Sequence, residues 1–528
     1  MSRFVRPSSY RHVYGQPAKK EKVHDNIKIS ASAWDTNLVS ASAKYLAVNY
    51  QSSGGGAFLV TPLDVTGKLP DVFPLCRAHT APVLDTAWSP FDDSLIASAG
   101  EDSKVAVTRI DESILRDALS GDSSDVQDLK PHVTLSGHGR KAGHVVWHPT
   151  ADGLLLSASN ELKLWDVEAS KAAFTSAVHG DMVQSLSWDF CGTTIATTCK
   201  DKKLRLFDPR AGADAVTVAD SHPGVKGSRV QWMGSLERIV TTGFSRTSER
   251  QVYVWDSKNI TNGPVKTLTI DQSSGTLMPF WVDGNNVLFL AGKGDGNIRY
   301  YEWEGEELHY LNEFSSPQPQ RGMCLLPPRA RSTSTNEIAR AFKAVGSMIE
   351  PISFYVPRKS EAFQADIFPP CPSDKPALSA QDWLNGKTSE PVRVNLETLE
   401  QQSAPAPSTH TPATPIKAAS TPSPVAAINS IPSTPVSRSA AATPPPAATP
   451  AAPERSASID SAQEPPSASP ATVVSNGTAG DSEAVSKLEA DLADSRQRQS
   501  RLERELQERD NEIKSLRQKL EKIRAALD

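Results

Sequence analysis

Cysteine is sparse in this 528-residue chain: Cys76, Cys191, Cys199, Cys324 and Cys371 are scattered, with no Cys-x-x-Cys pair and no His cluster beside them. That spacing argues against a zinc site and a disulfide framework, and it fits a reducing compartment. No apolar run approaches the length of a membrane span, and Met1 to Gly15 lacks the apolar core of a signal peptide. A soluble, cytosolic protein is expected. Charge of one sign is not in excess either. The net formal charge is −5, which gives no global mark of nucleic-acid or membrane binding. No Gly-x-Ser-x-Gly elbow, His-Glu-x-x-His or paired-carboxylate arrangement is present. Ser52-Ser-Gly-Gly-Gly56 lacks the Gly-Lys-Ser/Thr ending that cradles phosphates and reads as a hairpin turn, as does Gly292-Lys-Gly-Asp-Gly296. Neither an enzymatic activity nor a cofactor is expected.

What is present falls into three regions. Residues 1 to about 400 are globular in composition and hold all ten Trp. Residues 403–480 contain no aromatic residue and six charged ones, yet carry sixteen of the forty prolines. Such a segment cannot bury enough apolar surface to offset its ordering entropy, so it reads as a disordered linker. It holds eight Ser-Pro or Thr-Pro pairs, at Thr411, Thr414, Thr421, Ser423, Thr434, Thr443, Thr449 and Ser469, which suit phosphorylation. Its Pro-x-x-Pro pieces, beginning at Pro412, Pro432 and Pro450, suit docking on SH3-type aromatic grooves.

From Val485 to Asp528 an apolar seven-residue repeat takes over. Position a is Val485, Leu492, Gln499, Leu506, Ile513, Leu520 and Leu527; position d is Leu488, Ser495, Leu502, Arg509, Leu516 and Ile523. A 3.5-residue apolar period sustained over six heptads means helices coiling around each other. Self-association is expected, and parallel dimer and trimer both fit. The pairs Glu512–Arg517 and Arg498–Glu503 attract between parallel chains, whereas Glu505–Asp510 and Lys519–Arg524 repel.

The first region repeats itself. His79 opens a unit with Trp88-Ser-Pro90, Ile96–Asp102 and Val105–Ile110. A second has His138, Trp147-His-Pro149, Leu156–Ser159 and Leu162–Asp166; a third has His179, Trp188-Asp189, Ile195–Asp201 and Leu204–Asp208. A fourth has His222, Trp232, Ile239–Phe244 and Val252–Asp256. His138 to His179 is 41 residues, His179 to His222 is 43, and His79 to His138 is 59 because a polar stretch from about Asp111 to Pro131 is inserted. A period of this length, opened by His and closed by Trp-Asp, is the WD-repeat signature. Each unit is a four-stranded blade that must stack on its neighbours to cover its faces. The pairs His79–Asp102 and His179–Asp201 are expected to fix the turns. Weaker units flank these four: Trp34-Asp35 with Tyr45–Tyr50 and Gly56–Val60, Val287–Asp295 with Ile298–Tyr301, and Met323–Leu326 with Pro351–Val356. The expectation is an all-β, seven-bladed WD-repeat β-propeller over residues 1–356, its ring closed by a strand at Tyr10–Tyr14. Among the basic residues, Lys19, Lys20, Lys28, Lys202, Lys203 and Arg246 are candidates to face an acidic polymer.

Six dispersed stretches are more specific: Ser9–Gln16, Ser53–Val60, Thr241–Gln251, Gly292–Asp295, Pro319–Met323 and Val356–Ser360. In these, taken in this order, the chain resembles the coronins over roughly residues 4 to 400, and by architecture in the coil. The resemblance implies an extension at 357–402 packed on the propeller's underside, the linker at 403–480 and an oligomerising coil at 485–528. It also implies binding and cross-linking of filamentous actin in the cytoplasm, at cortical actin structures, and regulation of the branched-filament nucleating complex of actin-related proteins. Asp25-Asn-Ile-Lys28 aligns with a family actin-contact position that is an arginine; lysine keeps the charge without the bidentate fork. Two more departures stand: the coil lacks the family's vertebrate trimer motif, and no Trp-bearing acidic tail follows residue 402. The competing class is a WD-repeat scaffold for a different protein partner, which shares propeller and coil but has no need of the six stretches.

Overall fold

The second strand of several repeat units is apolar or small on both faces rather than alternating, because neighbouring sheets cover it from both sides. Leu154–Ala158, Ile195–Cys199 and Val287–Gly292 are buried at every position. These strands come from a computed structural model that describes residues 6–120, 126–360, 362–402, 408–410 and Gln507. The chain divides into two units, 1–423 and 424–528. The first is described below. The heptad positions Leu492, Leu502, Leu506, Ile513, Leu516, Leu520, Ile523 and Leu527 lie outside the described residues.

Seven antiparallel blades make up the first unit, spanning 39–77, 83–136, 144–175, 183–220, 229–271, 277–315 and 322–355. Their first strands neighbour one another around a ring, ending with Gly322–Leu325 of blade seven against Val39–Ala41 of blade one. All seven contribute to the wall of one central cavity of 370 Å³. Recurring tryptophans tie the ring: Trp88 Nε1 donates to the Ser40 carbonyl at 3.2 Å, and Trp147 Nε1 to the Ala87 carbonyl at 2.9 Å, each reaching the preceding blade.

Closure differs in detail from expectation. The closing strand is Tyr14–Pro17, which adds antiparallel to Met348–Tyr355 with Tyr14 opposite Tyr355 and Pro17 opposite Ile352. Tyr10 to His12 instead forms turns. Tyr10 and Val13 are buried against Ile367 and Phe368, and the Tyr10 hydroxyl accepts from Asn285 Nδ2 at 3.0 Å. A buried phenol needs such a partner, which a strand position on the outer edge does not offer. Blade seven also uses Glu337–Val345, a strand the repeat grid had missed. The insertion in blade two carries the helix Glu112–Ser120, with Leu115 and Ala118 buried against blade one.

Residues after 356 attach to the lower end, where the first and second strands turn. Leu378–Ser379 pairs in parallel with Ala151–Asp152. Trp383 is 1% exposed and donates to the Gly192 carbonyl at 3.0 Å; the Arg210 guanidinium lies 4.4 Å from its ring centroid. Attachment continues past the composition change at 403. Ser408–Thr409 pairs with Lys387–Thr388, and His410 Nε2 meets Asp208 Oδ2 at 2.7 Å.

Candidate functional site

The upper end of blades two to five, where the second and third strands turn, is fixed by histidine. His79 Nδ1 meets Asp102 Oδ1 at 2.9 Å and Nε2 meets Ser98 Oγ at 2.8 Å. His138 Nε2 meets Ser157 Oγ at 2.6 Å, and Trp165 Nε1 donates to the same hydroxyl at 2.8 Å. His222, Thr241 and Trp255 repeat the arrangement at 2.9 and 2.9 Å. Burial pushes His138 and His179 down to about 4 and His222 to about 3, so these rings are neutral and structural. The expected His179–Asp201 pair is not made. Arg205 takes the Asp201 carboxylate at 3.0 and 2.5 Å, because a charged bidentate fork outcompetes a neutral imidazole. Among the described residues His179 keeps Thr197 as its one side-chain hydrogen-bond partner, at 3.2 Å.

A second polar constellation sits at the upper mouth of the central cavity. Trp34-Asp35, expected to belong to a blade, lies instead in the lead-in to blade one and crosses the ring. Trp34 Nε1 donates to the Gly143 carbonyl of blade three at 2.9 Å. The Asp35 carboxylate accepts from Arg229 Nη2 of blade five at 2.8 Å and from Thr276 Oγ1 at 3.1 Å. Lys293 Nζ of blade six lies 2.9 Å from it. Arg229 Nη1 also donates to Asn37 Oδ1 at 2.6 Å. Burial opposes ionisation of Asp35, but Arg229 and Lys293 outweigh it and hold the carboxyl far below the usual range. Nearby Asp85 has no such neutralisation in contact, and burial pushes it up to about 7; burial likewise pushes His144 down to about 3. The one available signal was that Trp34-Asp35 falls off the repeat period, ahead of its blade's strands rather than at their end.

The candidate basic residues do not form one cluster. Lys28 is exposed at the upper end of blade one, where its carbonyl accepts from the Gln51 amide at 2.7 Å. Lys202 and Lys203 are on the upper turn of blade four and are already engaged, Lys202 Nζ with the Pro223 carbonyl at 2.8 Å and Lys203 Nζ with Asp220 at 2.7 Å. Arg246 is exposed on the corresponding turn of blade five. Lys19 and Lys20 lie elsewhere, at the 3-10 turn Lys20–Lys22 on the outer edge of blade seven. Among the described residues Lys28, Lys104, Arg140 and Arg246 have neither an ion pair nor a side-chain hydrogen bond, and all four are exposed at the upper end.

Comparison with known proteins settles the family. A family model described as a domain of unknown function matches residues 3–68, and WD40-repeat models match 72–107, 172–208 and 349–391. Coronin-like protein crn1 of Schizosaccharomyces pombe is 49% identical over 400 residues, covering 75% of this chain and 65% of that relative's own length. Coronin-A of Dictyostelium discoideum is 44% identical over 398 residues, covering 75% of this chain and 87% of the relative. The chain belongs to the coronin family. The crystal structure of the WD40 domain from Toxoplasma gondii coronin superposes with a TM-score of 0.68 at 29% identity, covering 73% of this coronin chain and 97% of that domain.

Three of the dispersed stretches that carried the resemblance, Thr241–Gln251, Gly292–Asp295 and Pro319–Met323, are joints between blades in this coronin. Arg250 of Thr241–Gln251 is 1% exposed and reaches Asp271 at 2.5 and 2.6 Å and Asp295 of blade six at 2.6 Å. It is therefore not a surface cation. Gln320 Nε2 donates to the Gly292 and Asn297 carbonyls at 2.9 and 2.8 Å, and Arg321 Nη2 to the Ser30 carbonyl at 2.5 Å. Gly56 has φ +66°, and a Cβ there would lie 1.7 Å from the His79 carbonyl oxygen, so only glycine fits that turn. Among the described residues no helix is long and apolar enough to cross a membrane, and no His, Cys, Asp and Glu cluster has a metal-binding arrangement.

Proposed function

We propose that this coronin binds actin filaments through the upper face of its propeller. Self-association of residues 485–528 lets one oligomer cross-link filaments, and the protein acts on the nucleating complex of actin-related proteins. The observation that carries the reading is the placement of Lys28, Lys104, Arg140 and Arg246, exposed and without ion pairs among the described residues, at one end of the ring. The other end is occupied by residues 357–402 and 408–410. Free cations on an open face favour an acidic polymer and speed its encounter. Each contributes little alone, so one propeller binds weakly and the coil supplies avidity. The protein then acts in the cytoplasm at cortical actin, and the linker serves kinases and SH3-type partners.

Filament co-sedimentation of residues 1–410 beside the full chain tests the reading. Both should pellet with filaments, the shorter one more weakly. If neither pellets, the propeller is a scaffold for another protein partner. Addition of the full chain to a branched-nucleation assay tests the second activity separately.

A further inference from the structure

Two titratable groups line the upper part of the 370 Å³ central cavity, beneath the ion pairs of Asp35. Asp85 and His144 lie at the starts of the first strands of blades two and three, Val83–Trp88 and His144–Trp147. The Asp85 carboxylate accepts from the Val145 amide at 3.1 Å through Oδ2. Among the described residues no Arg or Lys nitrogen lies within 4 Å of it. His144 is 8% exposed, and its Nε2 has no hydrogen-bond partner among the described residues. Its Nδ1 stands 3.9 Å from Asp85 Oδ2, beyond hydrogen-bond distance. Buried polar atoms left in this way are rare in native folds. The wall above them is strained as well. Leu38, which ends the loop at the mouth, has φ +62° while 5% exposed, a conformation that a leucine seldom adopts and that collects around ligand sites.

The charges already present restrict what this cavity can take. Asp35, Arg229 and Lys293 together carry one net positive charge, which Asp85 balances when ionised. An anion would meet that carboxylate. A divalent ion would set two charges beside Arg229 and Lys293, whose fields already reach Asp85. A monocation in contact with Asp85 supplies the partner that a buried carboxylate needs; without one, burial pushes Asp85 up to about 7. Burial keeps His144 neutral, so one of its nitrogens is an acceptor. A carboxylate and an imidazole acceptor side by side call for several N–H donors, which alkali ions and quaternary ammonium groups lack. Farther along their strands Val146, Leu186, Phe280 and Leu325 make the wall apolar, and the volume is that of a small-molecule site. We propose that the central cavity binds a small primary amine, its ammonium donating to the Asp85 carboxylate and to His144. The apolar body of the ligand lies against Leu186 and Phe280.

Saturation-transfer NMR of the full chain with benzylamine at pH 8 tests this. Benzyl alcohol offers the same ring without the charge, and benzyltrimethylammonium offers the charge without N–H donors. Benzylamine should bind about tenfold or more tightly than either. Asp85→Asn keeps an acceptor for Val145 and removes a buried charge, so melting should hold or rise while benzylamine affinity falls about tenfold or more. Glu397→Gln, on an exposed turn of the extension, should bind like wild type. From pH 8 to pH 6 benzylamine should lose about tenfold, because Asp85 takes up a proton while Asp35, held by Arg229 and Lys293, does not. No binding by the wild type overturns the proposal and leaves water as the occupant. Equal binding of benzyl alcohol overturns it too, since the cavity is then only an apolar shelter. Unchanged affinity in Asp85→Asn, or an equal loss in Glu397→Gln, shows that no ion pair forms there and also overturns it.

Discussion

Asp35→Asn isolates the charge at the channel mouth. Asparagine keeps the shape of the side chain and its acceptor for Thr276, but it leaves Arg229 and Lys293 facing a neutral group. Their side chains are 9% and 18% exposed, and that of Asp35 is 28% exposed. Breaking a buried ion pair by removing one partner costs about 3–5 kcal/mol. Partial access of solvent to Asp35 reduces that to about 2–3 kcal/mol. In a domain of this size the loss corresponds to a drop of about 2–5 °C in melting temperature, and urea denaturation should give the same ranking. Lys293→Met in the Asp35→Asn background removes the repulsion between the two cations. It should recover about 1 kcal/mol, a coupling that a double-mutant cycle reads directly. Wild-type melting in Asp35→Asn, or no recovery on adding Lys293→Met, would show that this loop is a solvated spectator and that the blades close without it.

Acid should weaken the propeller early. Burial pushes His144, His148 and His222 down to about 3 and His24 and His179 to about 4, against the ordinary value of about 6.5. The unfolded chain therefore takes up protons that the native state refuses. Stability is complete above pH 6.5 and falls until the native rings themselves protonate, by about 2 kcal/mol per ring at pH 5; a urea midpoint that is flat from pH 7 to 5 would contradict this. For the proposed filament contact, Lys28→Asp should weaken co-sedimentation by about 2 kcal/mol or more with unchanged circular dichroism and melting, and unaltered affinity removes Lys28 from the interface. In the proposed coil, Leu506→Pro would remove a backbone hydrogen bond and an a-position side chain together. It should yield a monomer by light scattering that binds filaments about 10²–10⁴-fold more weakly and no longer bundles them; bundling by that monomer would place two filament sites on each propeller.

The periodic part of the fold could be read before any coordinates. His79, His138, His179 and His222 recur because each fixes a turn through a hydroxyl on its own blade, Ser98, Ser157, Thr197 and Thr241. Local spacing therefore carries that information. The six dispersed stretches likewise pointed to the right family, and three of them turned out to join blades: Arg250 is buried between two aspartates. Register at the ends was less legible. Tyr10–Tyr14 has strand-like composition, yet the strand starts at Tyr14, because the Tyr10 phenol is satisfied by Asn285 at the lower end.

What sequence alone determined is what repeats or what is set by neighbours in the chain: seven units, their turns, the proline-rich composition after 403 and the heptad pattern after 485. What only tertiary structure decided is where distant charges meet. Asp35 and Arg229 are separated by 194 positions, and no periodicity links a loop residue to a strand start three or four blades away. Closing the ring brings both to one mouth, and low local polarity makes their pairing obligatory. The same closure decides which lysines remain free. Lys202 and Lys203 find Pro223 and Asp220, while Lys28 and Arg246 face outward with nothing opposite them among the described residues. A charge in a sequence becomes a binding group only when the fold leaves it unpaired.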